Sequence, residues 1–113
     1  MDNLRPELTE PVMRFGVDAF LDACKRFGGA IDKEGDIYHC KTTRMFMKYK
    51  VSHNDEPSEI EISTVSRPYT NITVIEPELA FTKNELYITS GNLEIEVDQH
   101  SITISNEQKT EME

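Results

Sequence analysis

The residues of this 113-residue chain that could do chemistry are two cysteines, three histidines and 21 carboxylates. Their spacing decides what they could do. His39 and Cys40 are adjacent, so on a strand they point to opposite faces and cannot both hold one metal ion. His53, Asp55 and Glu56 share a loop, where a solvated turn accounts for them better than a metal site does. A nucleophilic Cys–His pair would have to join Cys24 or Cys40 to His53 or His100, and no local signature points to one. Cys24 falls on the apolar stripe of a predicted helix, where an inert buried thiol is expected, and Cys40 is read in the same way. There is no glycine-rich phosphate loop, no Gly-x-Ser-x-Gly elbow and no tryptophan. The sequence therefore nominates no catalytic residue, no metal ligand and no cofactor, and predicts a protein that is not an enzyme.

Charge carries more information. The net charge is −9, but residues 25–50 are net basic while 51–113 hold 13 acids against 3 bases. Within the basic stretch, Arg44, Phe46, Lys48 and Lys50 interleave cations with an aromatic ring, the pattern that stacks and neutralises single-stranded nucleic acid. The overall negative charge opposes a polyanion, so nucleic-acid binding is the lesser reading of these four residues. In the acidic stretch, Glu94, Glu96 and Asp98 alternate with Leu93, Ile95 and Val97. Alternation on a strand puts the three carboxylates on one face at intervals of about 6.6 Å. Glu59 and Glu61 would extend this ridge if their strand lies nearby. An ordinary solvated sheet face, kept charged against aggregation, is the competing explanation.

The elements that must position these residues follow from the periodicity. Met13, Val17, Phe20, Leu21, Cys24 and Phe27 recur at helical spacing. Thr9 is a suitable N-cap, Glu10 and Pro11 suit a first turn, and Gly28-Gly29 suits the end. The pattern predicts a helix over about 10–27. Beyond it the period becomes two: strands are predicted at 37–40, 44–52, 59–65, 70–75, 79–82, 86–89, 93–97 and 101–104. The loop 53–58 makes a hairpin of 44–52 and 59–65, with Val51 opposite Ile60 and Lys50 opposite Glu61. Ser90-Gly91-Asn92 is a second hairpin signal. No apolar run is long enough for a membrane span, and no leader is evident.

These elements predict an α+β domain over residues 9–105, with tails at 1–8 and 106–113. One amphipathic helix would pack on a curved, mainly antiparallel sheet of six or seven strands, barrel-like if it closes. The expected function is that of a small acidic cytoplasmic interaction protein binding a partner with a basic surface through Glu94, Glu96, Asp98, Glu59 and Glu61. A phage-type inhibitor of a host nucleic-acid-binding enzyme would fit. The alternatives are a homo-oligomeric assembly protein, with the basic stretch of one copy against acidic strands of the next, and a single-strand-binding module using Arg44, Phe46, Lys48 and Lys50.

Overall fold

The computed structural model describes residues 13–67 and 69–106. Along the chain these form β1 (Arg14–Phe15), α1 (Gly16–Arg26), β2 (Ala30–Glu34), β3 (Ile37–Lys41), β4 (Met45–Lys50) and β5 (Glu59–Thr64). Then come β6 (Asn71–Ile75), β7 (Glu78–Thr82), β8 (Glu85–Ser90), β9 (Leu93–Val97) and β10 (Ile102–Asn106). The strands make two antiparallel five-stranded sheets. Sheet I has the order β1-β7-β8-β9-β10, and sheet II has β2-β3-β4-β5-β6.

This corrects the expectation of one six- or seven-stranded sheet, open or barrel-like: the described residues are mostly β, with ten strands in two sheets that do not close. The dividing point is Glu76-Pro77. Glu76 adopts a left-handed backbone with φ 54°, and its N–H still bonds to the Ser58 carbonyl at the end of the β5–β6 ladder. Pro77 then has no N–H to offer. The chain leaves sheet II there, and β7 starts a new ladder instead of continuing the old one.

Each sheet turns one apolar face inward. Met45, Met47, Tyr49, Ile60, Ile62 and Val74 from sheet II share a single core with Leu79, Phe81, Leu86, Ile88, Ile95 and Val97 from sheet I. Complete burial of a side chain such as Ile88 or Ile95 contributes roughly 1.5–3 kcal/mol. Helix α1 supplies Ala19, Phe20, Ala23 and Cys24 to the same core. The Phe20 ring stacks on Tyr49 of sheet II at 5.8 Å, while Phe27, at the helix end, meets Phe81 of sheet I edge-on at 6.3 Å. The helix thus joins the two sheets.

The helix is shorter than its periodicity suggests. It starts at Gly16, without a side-chain cap at Phe15, because Arg14 and Phe15 are held extended by pairing with Phe81 and Ala80 of β7. Met13, read as part of the buried stripe, is instead 50% exposed. The predicted cap at Thr9 and its first turn lie outside the described residues, as do the expected tails except for Asn106, which ends β10. The far end is as expected. Asp18 lies in the first turn and Lys25 and Arg26 in the last, each sign suited to the helix dipole. Gly28 enters the left-handed region at φ 78°, where a Cβ would be strained.

Three further expectations change. Cys24 and Cys40 are not thiols: they form a disulfide tying α1 to β3. Strand β2 is additional; its five residues are all exposed, so it has no apolar alternation to read. The hairpin of β4 and β5 forms with its register shifted by two residues, Tyr49 opposite Ile60 and Lys48 opposite Glu61. A two-residue shift keeps every side chain on its face, so the apolar pattern alone could not choose between the registers. Among the described residues no helix is long and apolar enough to cross a membrane.

Candidate anionic interaction face

The outer faces of the two sheets differ in charge. On sheet II, acids and bases are interleaved. One row across the strands runs Asp32, His39, Lys48, Glu61, Thr73, and the next runs Glu34, Ile37, Lys50, Glu59, Ile75. The charges are locally matched: Lys48 Nζ lies 3.3 Å from Glu61 and Lys50 Nζ lies 2.8 Å from Glu56. The Glu56 hydrogen bond raises the pKa of Lys50 and lowers that of Glu56. Phe46 is 45% exposed on this face, with the Lys41 ammonium 5.6 Å from its ring centre. Arg44 lies in the turn before β4 and is not part of the strand face. The sequence-derived set Arg44, Phe46, Lys48 and Lys50 is thus only partly assembled, and its lysines are already engaged.

Sheet I is different. Its outer rows run Glu78, Thr89, Glu94, Ser105 and Phe15, Ala80, Tyr87, Glu96, Thr103, with Glu85 beside them at the start of β8. Among the described residues four carboxylates stand on this face, and the one base in the strands of sheet I is Arg14, whose Nε is engaged 3.1 Å from Asp22 of α1. Glu94 and Glu96 therefore occupy one face of β9 as their alternation indicates, and among the described residues they lack the neutralising partners found on sheet II. Glu59 and Glu61 belong to sheet II and do not extend this ridge.

Tyr87 sits among the acids. Its hydroxyl donates to Glu85 Oε1. That bond, with burial and the nearby charges of Glu85, Glu96 and Glu94, pushes the phenol up to about 12 from its ordinary 10.0. Phe15, 64% exposed, completes a short row with Ala80 and Tyr87. A ring bordered by carboxylates is a surface suited to guanidinium groups, which pair bidentately with carboxylates and lie against aromatic rings. Sequence reading missed Glu78, Glu85 and Tyr87, although Tyr87 and Glu85 keep the same period-two spacing that identified Glu94 and Glu96.

Asp98 takes a different place from its two neighbours in sequence. It lies in the turn after β9, where its Oδ1 accepts hydrogen bonds from the backbone N–H of His100 and of Ser101, each at 2.8 Å, and from the Ser101 hydroxyl at 3.1 Å. The His100 N–H bond first, then those of Ser101, hold its pKa below the usual carboxylate value. Asp98 thus closes a turn. His53, the other histidine considered for ligation, has its Nδ1 3.3 Å from Asp36. Comparison of the chain with protein-family models, curated proteins and solved structures finds no match.

Proposed function

We propose that this chain is a non-catalytic binding protein whose sheet I face docks on an arginine-bearing basic surface of another protein, inhibiting or adapting that partner. One observation carries the reading: Glu78, Glu85, Glu94 and Glu96 surround Tyr87 on one face, while Asp32, Glu34, Glu59 and Glu61 on the outer face of sheet II are interleaved with Lys41, Lys48 and Lys50. A face of one sign concentrates a partner of the opposite sign and speeds encounter, whereas an interleaved face does not. A nucleic-acid-binding enzyme, with its basic groove, is the kind of partner such a ridge fits. The expectation of a cytoplasmic setting rests on the premise that both cysteines stay thiols; the Cys24–Cys40 disulfide removes that premise, because such bonds persist mainly in oxidising compartments.

The test compares two variants of identical net charge, Glu94→Lys/Glu96→Lys on sheet I and Glu59→Lys/Glu61→Lys on sheet II. Each is used, beside the unaltered protein, to capture partners from extract of the native host. The reading expects a partner retained by the sheet II variant and by the unaltered chain, and lost from the sheet I variant. Equal retention by both variants, or loss from both, refutes it.

A further inference from the structure

Four arginines lie among the described residues: Arg14, Arg26, Arg44 and Arg67. Arg14 is paired with Asp22, and Arg26 Nε donates to Asn84 Oδ1 at 2.6 Å. Arg44 and Arg67 have no side-chain partner among the described residues, and both border the same cavity. This cavity, of about 250 Å³, lies where the β3–β4 turn, the β5–β6 loop and the turn before β10 meet. His100 joins the two arginines in its wall, together with the hydroxyl-bearing Ser66, Thr70 and Ser101. No described carboxylate lines it. The nearest acid of that turn, Asp98, is directed at the backbone of His100 and Ser101 and so fixes the side of the cavity they form.

We infer that this cavity is a binding site for a small phosphate-bearing anion, inorganic phosphate or a compact phosphomonoester. Two guanidinium groups, without a side-chain partner among the described residues, supply forked N–H donors matched to phosphate oxygens. The imidazole and the hydroxyls of Ser66 and Thr70 supply further polar contacts, and the volume admits a phosphate group with a small substituent. In a chain of net charge −9, a cavity walled by two arginines and by no described acid is a local reversal of sign, which favours an anion there against the field of the rest of the molecule. The site draws on both sheets, since Arg44, Met45 and Thr64 belong to the sheet II side and Ile102 to sheet I. A bound phosphate would therefore bridge them. The inference is independent of the acidic face on sheet I.

The experiment is a calorimetric titration of the full chain with inorganic phosphate and, separately, with ribose 5-phosphate, at low ionic strength, with chloride as the control anion. Saturable binding at one site is expected, weakened at least roughly tenfold by Arg44→Ala/Arg67→Ala, each arginine supplying charge-assisted bonds. Arg44→Lys/Arg67→Lys, which keeps the charge but loses the forks, should fall between. Arg14→Ala/Arg26→Ala, with the same change in net charge, should bind as the unaltered chain does. Both arginines at the cavity are exposed, so circular dichroism should show the variants folded. Absence of binding at about 20 mM phosphate, a level that would detect even millimolar affinity, overturns the inference. So does equal weakening by the Arg14/Arg26 variant. Affinity confined to oligonucleotides and growing with their length would also overturn it, by assigning the arginines to a nucleic-acid surface.

Discussion

The carboxylates of sheet I should cost the protein stability, and the cost can be measured. Glu94 and Glu96 stand on the same face of β9, about 6.6 Å apart, so their repulsion in water is about 0.6 kcal/mol. Glu78 lies two strands across in the Glu94 row, and Glu85 lies one strand over from Glu96, adding smaller terms of the same sign. Replacing both by glutamine, in Glu94→Gln/Glu96→Gln, removes these terms while keeping the side-chain shape. At about 10 mM salt, where the Debye length is near 30 Å, the double variant should gain on the order of 1 kcal/mol. For a domain of this size that corresponds to a rise in Tm of about 4 °C. At 1 M salt, with a Debye length of about 3 Å, the gain should vanish. The control is Glu61→Gln, which breaks the pair with Lys48 and should leave stability unchanged or lower it by up to about 1 kcal/mol. Urea and thermal unfolding at the two salt concentrations provide the measurement. An ordinary solvated face has no reason to retain uncompensated repulsion, whereas a binding surface commonly retains it. If the double variant is no more stable than the parent at low salt, the carboxylates are not mutually repelling and the argument for a functional ridge fails.

Tyr87 gives a spectroscopic readout of the same cluster. Its phenol should titrate near 12 in the folded protein, and Glu94→Gln/Glu96→Gln should bring the midpoint down, followed by phenolate absorbance against a Tyr87→Phe blank. Because the folded value is raised, the associated stability is complete below pH 10 and is lost as the pH rises from 10 towards 12; a midpoint near 10 would remove the hydrogen bond to Glu85 from the account. Asp98→Ala should lose about 0.5–2 kcal/mol, as for other carboxylates that cap backbone N–H groups. As the Asp98 pKa is depressed, its contribution is present above the ordinary value near 3.8 and lost as the pH falls through the lower folded value, so the gap between parent and variant should close in acid. Reduction of the Cys24–Cys40 disulfide, which spans 16 residues, should lower stability by about 3 kcal/mol on the loop-closure model. A reduced protein with unchanged urea midpoint would contradict that.

Much of the secondary structure is legible in the sequence because its signals are local. Period-two alternation places β4, β5, β8 and β9 within a residue or two. Ser90-Gly91-Asn92 marks a hairpin whose Gly91 has φ 61°, a backbone suited to the first position of a two-residue turn. The uneven charge is equally plain, and Glu94 and Glu96 lie on one face as their spacing requires. What the chain order does not contain is the choice of neighbours. The apolar pattern is equally satisfied by one sheet covered by a helix or by two sheets that share a core with the helix, because inward faces are alike in both. It cannot separate registers that differ by two residues, nor show that Arg14 and Phe15, which continue a helical pattern, gain more from pairing with β7. Strand β2 and Asp98 are misread for a related reason: an exposed edge strand lacks alternation, and a carboxylate in a turn has the same sequence spacing as one on a strand.

The sequence by itself determined the helix stripe, the alternating strands, the tight turns and the segregation of charge, since each depends on residues within a few positions of one another. The tertiary structure decided that Glu59 and Glu61 are balanced by lysines on one sheet while Glu94 and Glu96 share another with Glu78 and Glu85. It also brought Arg44, Arg67 and His100, from three separate loops, to one cavity. Such groupings rest on contacts between distant segments, which are selected by how two apolar faces and a helix fill a common core, and no local spacing encodes that choice.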